Sequence, residues 1–188
     1  SIQIGSSYLL KIYNTKSRSI VTAQTDIPGN ASLSEPNPFF DEIGLASAPV
    51  YAINWQSGIN AKIYNTIMRF HYEEISPSVT TAQFVDWTLG NKIVKNPSVQ
   101  QYLDLQKNKE GFYQNLASKI SIPDSGTYRV SGKVELIFIA GAEDYYYYQK
   151  INNATVGVSQ SNPAYTNIQN GLGVFSAKTI NRWSFDLD

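Results

Sequence analysis

The sequence predicts a mainly β domain: an antiparallel β-sandwich-like fold with one or two short helices packed on it, with α+β as the alternative class. Three observations predict it. Short stretches alternate apolar and polar residues and are punctuated by Gly, Pro and Asn clusters. Helical signals are confined to a middle segment, by apolar spacing, and to one stretch near residue 145, by its acid-to-base polarity. The most apolar run, Val134–Ala140, begins in alternation and ends continuous, the pattern of an interior strand covered on both faces. At 188 residues the chain reads as a single domain, 1–188, long enough to bury a core without staples.

Ser7–Tyr13 and Ser19–Thr25 read as strands joined by the polar turn Asn14–Arg18, hence a hairpin. Leu33–Pro49 carries Pro36, Pro38 and Pro49 and reads as a long connector, with Phe39 and Phe40 expected to pin it to the body. Val50–Gln56, Ala61–Ile75 and Ala82–Leu89 read as a three-stranded meander, with turns at Ser57–Asn60, Pro77 and Gly90-Asn91. On the second strand Tyr64, Thr66, Met68, Phe70, Tyr72 and Glu74 share the more aromatic face, expected to be core. Ser98 with Gln101 forms a capping-box pattern, so a helix is expected there, with Val99, Tyr102 and Leu103 at helical spacing. Phe112, Leu116 and Ile120 are spaced by four and predict an amphipathic helix of about three turns. After the turn at Pro123–Gly126 comes the apolar strand, broken by Gly141. Glu143–Ile151 has acids first, a base last and an Asn stop, which favours about two helical turns over the rival aromatic strand. A short strand is expected at Ala154–Gln160, loop over Gln160–Gly173, and a closing strand at Arg182–Leu187.

Composition narrows the function classes. Charged residues make up only 16%, below the typical ~25%, and Asn, Ser, Thr and Tyr supply the polarity, as in exported bacterial proteins. Fifteen basic and fifteen acidic residues cancel, leaving no field to recruit nucleic acid or an anionic membrane. The absence of cysteine removes disulfides, thiol chemistry and Cys-type zinc sites. No run approaches the ~20 apolar residues of a spanning helix. The chain opens directly on a β pattern, so an exported protein is here in a mature or trimmed form, any lipid-bearing Cys lying upstream.

No complete catalytic motif is present, and the chain reads as non-enzymatic, with no cofactor and no metal site. His71 is the single histidine and lies between Phe70 and Tyr72, where a structural or surface role outweighs a Ser-His-acid triad. Glu73, Glu74 and Asp86 fit solvated strand carboxylates better than a glycosidase pair. Asn170-Gly171-Leu172-Gly173 lacks the Lys-Ser/Thr of a phosphate loop and reads as a tight turn that sends Leu172, Val174 and Phe175 to the core. Tyr145, Tyr146, Tyr147 and Tyr148, with Trp55 and Trp87, are the weak candidates for ligand binding. Exposed rings of this kind stack on apolar sugar faces; core packing plus ordinary half-exposed tyrosine is the plainer reading.

Ile139–Tyr145 (I-A-G-A-E-D-Y) and Tyr165–Ala177 (Y-T-N-I-Q-N-G-L-G-V-F-S-A) resemble a family of uncharacterised exported lipoproteins of Bacteroidetes. Tyr8–Thr25 and Gly111–Leu116 are similar to that family too, although only Tyr165–Phe175 is a specific block. The resemblance implies a non-enzymatic, outer-membrane-anchored envelope or cell-surface protein that binds a ligand or partner in nutrient uptake. It implies location beside a TonB-dependent receptor complex or a surface glycan, and membrane contact only through an N-terminal lipid outside this sequence. Members are longer at the N-terminus, which implies a missing upstream domain. The family has no agreed activity, so no functional residue carries over. A glycan-binding accessory module using exposed Tyr and Trp is one alternative; a structural or adhesion protein is the other.

Overall fold

The computed structural model describes residues 2–40, 42–43, 51–105, 109–152 and 165–187. Strands β1 (Ser7–Asn14) and β2 (Ser19–Asp26) form the expected hairpin, in register from Ser7 opposite Asp26 to Asn14 opposite Ser19. The turn closes because Asn14 Oδ1 accepts from the amides of Lys16 and Ser17, at 3.0 and 3.1 Å.

The remaining strands are β3 (Ser32–Glu35), β4 (Glu42–Ile43), β5 (Tyr51–Gln56), β6 (Ile63–Ile75), β7 (Thr80–Ile93), β8 (Gln101–Leu105), β9 (Tyr128–Gly141) and β10 (Lys178–Leu187). Helix α1 spans Lys109–Lys119 and helix α2 spans Glu143–Asn152. One sheet has the order β4-β10-β9-β6-β7 and a second β3-β5-β8. Every pairing is antiparallel except the short parallel contact of β4 with β10. The protein is therefore mainly β, with antiparallel sheets packed on one another and two short helices.

The apolar strand is the axis of the larger sheet. Val134, Leu136, Phe138 and Ala140 of β9 are fully buried and face inward beside Tyr64, Thr66 and Met68 of β6. The aromatic face of β6 is thus the core face, as its alternation predicts. Across the interior, Trp55 of β5 meets Tyr64 and Phe138 edge-on, with ring centroids 5.4 and 4.9 Å apart. Edge-on contact places the electropositive rim of one ring against the π face of the next. At the other end Phe112 of α1 closes the core against Phe70 (5.9 Å) and Trp87 (6.2 Å). Helix α1 forms where the spacing of Phe112, Leu116 and Ile120 predicts it, and α2 where the acid-to-base polarity does.

Several expectations are corrected. The meander splits: β6 pairs with β7 on one side but with β9 on the other, and β5 crosses to the second sheet. Burying Trp55 against Phe138 requires β5 to face β9 across the core rather than lie beside β6. The helix expected at Ser98 is instead a turn followed by β8. Asn96 Oδ1 accepts from the Ser98 amide at 3.0 Å, and the Gln101 side chain donates to the carbonyls of Asn96 and Val99 rather than capping a helix. Pairing with β5 then overrides the local preference. Gly90-Asn91 is not a turn. Gly90, at φ 145°, sits at a bulge where Thr66 and Ile67 of β6 face Gly90 and Thr88, and β7 runs on to Ile93. Phe39 and Phe40 do not pin the connector. Both are exposed, because Asn37 caps a turn through the Phe39 and Phe40 amides; Leu33 and Ile43 are buried instead. The strand expected at Ala154–Gln160 lies outside the described residues.

Phe138 touches Trp55, Tyr64 and Trp183 at centroid distances of 4.9, 6.2 and 5.1 Å. Phe138→Ala is expected to cost about 3–5 kcal/mol, a large part of a total near 5–15 kcal/mol. Denaturant unfolding measures it, and an unchanged midpoint would show that the inward face of β9 is misassigned.

Candidate functional site

The site lies at the end of the larger sheet where β6 begins and β7 and β9 finish. Ladder bonds hold the three ends level: Lys62 N donates to Gly141 O at 2.8 Å, and Val94 N to Lys62 O at 2.9 Å. The end of β2 reaches this place because Gly29 and Gly58 pack backbone against backbone. A Cβ on Gly58 would lie 2.2 Å from Gly29 O, so no side chain fits between the segments. Gly29 N donates to Ile59 O at 2.6 Å, and the buried Tyr64 hydroxyl accepts from Gly58 N at 2.9 Å. Between these segments and the start of α2 opens a cleft of about 500 Å³ lined by Thr25, Asp26, Lys62, Lys95, Glu143 and Asp144, among others.

The cleft carries charges of both signs. Two of the three acids are engaged by a hydroxyl. Ser7 Oγ donates to Asp26, and the Tyr165 hydroxyl donates to Asp144 Oδ1 at 2.5 Å. Glu143 and Asp144 also occupy the first turn of α2, where the helix dipole favours anions. Lys62 and Lys95 join none of the ion pairs found among the described residues.

Tyrosines stand on α2 and beside its first turn, Tyr165 through its bond to Asp144. Tyr146 and Tyr147 lie 5.2 Å apart, and Tyr147 and Tyr165 5.6 Å, between ring centroids. Burial, then the bond to Asp144, pushes the Tyr165 phenol far above its ordinary range. Burial raises Tyr145 as well, while the charge of Glu143 is the first cause of the rise at Tyr147. Lys178 stands 4.8 Å over the Tyr145 ring, and Gln149 donates to its hydroxyl at 2.7 Å. Tyr147 and Tyr148 are the exposed members of the run.

The predicted site residues are dispersed by this arrangement. Trp55 is fully buried in the aromatic core, so neither ring face is open to a ligand. Trp87 packs half-buried against Phe112. Only Tyr145, Tyr146, Tyr147 and Tyr148 share the cleft end of the molecule. His71 lies on the outer sheet face, with Nε2 3.7 Å from Glu135 and its ring beside Phe84. Asp86 holds Arg69 in a bidentate pair at 2.7 and 2.9 Å, and Glu74 accepts from Arg129 at 2.8 Å. Among the described residues no group of three or more His, Asp and Glu side chains is arranged to hold a metal ion, and no helix is long and apolar enough to cross a membrane.

Reading the sequence missed Thr25, Asp26, Lys62, Lys95 and Tyr165. Each is an ordinary polar residue in its own segment, and only folding assembles them. The block from Tyr165 onward has a structural role. Asn167 donates to Gln24 O, Gln169 and Thr22 exchange backbone bonds at 2.8 and 3.3 Å, and Asn170 donates to Ile20 O at 3.1 Å. This segment runs along the open edge of β2, and Asn167 also clamps both backbone groups of Phe175, at 2.7 and 2.9 Å. Leu172, expected in the core, is 88% exposed, because the bonds that hold the turn come from the asparagines and not from its side chain.

No family model and no curated protein matches this sequence. Among solved structures it is similar to the sporulation control protein Spo0M of Bacillus subtilis at 9% identity and a TM-score of 0.25, over 84% of this chain and 48% of that one. This chain thus spans about half the length of that protein, and a likeness this slight carries no argument.

Two outcomes are expected from this geometry. Gly173 adopts φ 133°, so Gly173→Val is strained and lowers stability by about 1–3 kcal/mol in a thermal melt. An unchanged melt would mean the loop is not structural. The raised phenol of Tyr165 holds its proton in the folded protein after the unfolded chain has lost its own, near pH ~10. Its contribution is therefore complete below about pH 10 and is lost as pH rises towards the folded value. Tyr165→Phe should remove the latest step in the phenolate absorbance titration and flatten the alkaline fall in stability.

Proposed function

We propose that the chain is a non-enzymatic cell-envelope protein that binds a ligand or partner at the end of its larger sheet, in the cleft beside the α2 tyrosines. The supporting observation is convergence. A cleft of about 500 Å³ carries charges of both signs, and the first turn of α2, the helix that bears the exposed Tyr147 and Tyr148, lines it. That size lies within the usual range for small-ligand sites. The envelope location rests on the low charge content and on the Tyr165–Phe175 resemblance. In this reading an N-terminal lipid outside the sequence anchors the protein to the outer membrane, and it serves nutrient uptake beside a TonB-dependent receptor.

A second reading is favoured by the ring row itself. Tyr146, Tyr147 and Tyr165 follow one another at 5.2 and 5.6 Å, a surface on which a glycan could lie with the phenol tips bonding its hydroxyls. Affinity gels containing neutral polysaccharides (xylan, laminarin, mannan) separate the two. Retardation abolished by Tyr147→Ala at unchanged melting temperature supports the glycan module. No retardation on any gel removes that module and leaves the cleft. Fractionation of the native full-length protein tests the location, which fails if the protein stays with cytoplasmic markers.

A further inference from the structure

We propose that the cleft binds a small zwitterion, of the class of free amino acids and short peptides. In this arrangement the carboxylate lies at Lys62 and Lys95 and the ammonium group at Asp26, Glu143 and Asp144. The inference rests on the ligand-binding reading above and names the chemistry of its ligand.

The first argument is the separation of charge. Five ionisable side chains of opposite sign line one cleft, yet none of the ion pairs among the described residues crosses it. Two of the acids turn to hydroxyl donors instead: Asp26 to Ser7 and Asp144 to Tyr165. Lys62 and Lys95 are brought together because the backbone of Val94 bonds that of Lys62. A carboxylate that accepts one hydroxyl keeps further acceptor sites, and an ammonium has three donors to offer. Acidic and basic groups that line one cleft without pairing with each other are complementary to a molecule carrying both charges. A simple anion would meet three carboxylates, and a simple cation two ammonium groups, so neither is favoured.

The second argument is independent of charge. Thr25 lines the same cleft, is only 4% exposed, and its hydroxyl has no hydrogen-bond partner among the described residues. Buried polar groups are normally satisfied, and a polar ligand in this cleft supplies a partner. A neutral glycan would satisfy Thr25 but leave the charges of both signs unused.

The test titrates the protein calorimetrically with a panel of free dipeptides, the same dipeptides acetylated at the N-terminus or amidated at the C-terminus, and neutral oligosaccharides. Free dipeptides are expected to bind, with at least about a tenfold loss when either end is blocked, the factor that about 1.4 kcal/mol represents. Lys95 is exposed, so Lys95→Met should keep the melting temperature while weakening free dipeptides about tenfold and the amidated forms little. Thr25→Val removes the orphan hydroxyl and should weaken binding without lowering stability. Blocked and free dipeptides binding equally, or Lys95→Met binding like the parent, overturns the proposal. Oligosaccharides binding where dipeptides do not also overturns it but preserves the ligand-binding reading. Failure of both probe classes at millimolar concentration counts against both.

Discussion

The structure depends on the contact of Trp55 with Phe138 and Tyr64. These three rings come from β5, β9 and β6, so one cluster joins the three-stranded sheet to the centre of the five-stranded one. Large aromatic side chains dominate the burial term of a core this size, and all three are fully buried. Their geometry also accounts for the topology. With Trp55 facing inward, β5 cannot continue in the plane of β6, and the chain must cross the core between Gln56 and Ile63.

That crossing creates the site. The turn after β5 has to pass close under the end of β2, and Gly29 and Gly58 permit backbone contact where any Cβ would collide. Tyr64 links the two levels. Its ring belongs to the core cluster, while its hydroxyl accepts from Gly58 N. The cleft is thus framed by rigid strand ends rather than by a long loop, which favours a fixed arrangement of side chains over an adaptable one.

The outer face of the five-stranded sheet has a different character. Arg69 pairs with Asp86 and lies 3.9 Å over the Phe84 ring, Glu135 is shared by His71 and Arg182, and Lys133 reaches Asp186. Asp86 is held below the usual carboxylate range, first by its bond from Arg69. These groups are partly exposed, so water screens them and their net contribution is small. They are complementary to one another, unlike those of the cleft, where no ion pair joins the opposite charges among the described residues.

The sequence by itself determined the elements whose signal is local. The hairpin was legible in its alternation and polar turn, α1 in the spacing of Phe112, Leu116 and Ile120, α2 in its acid-to-base polarity, and β9 in its apolar run. The inward face of β6 was legible as well, because side chains alternate strictly along a strand. What depends on partners distant in sequence was decided by tertiary structure. The Ser98–Leu103 stretch carries a helix signature yet forms a turn that leads into β8 at Gln101, since β5 offers that strand a ladder. Phe39, Phe40 and Leu172 look like core residues, but asparagine-capped turns hold their backbones and leave the rings and the leucine outside. Tyr145–Tyr148 were identified as a candidate surface, whereas Trp55, grouped with them on residue type alone, belongs to the core. Asp26, Lys62, Lys95 and Asp144 become a site only because segments 33 to 118 positions apart in the chain meet at one end of the sheet. No periodicity within a segment encodes that meeting.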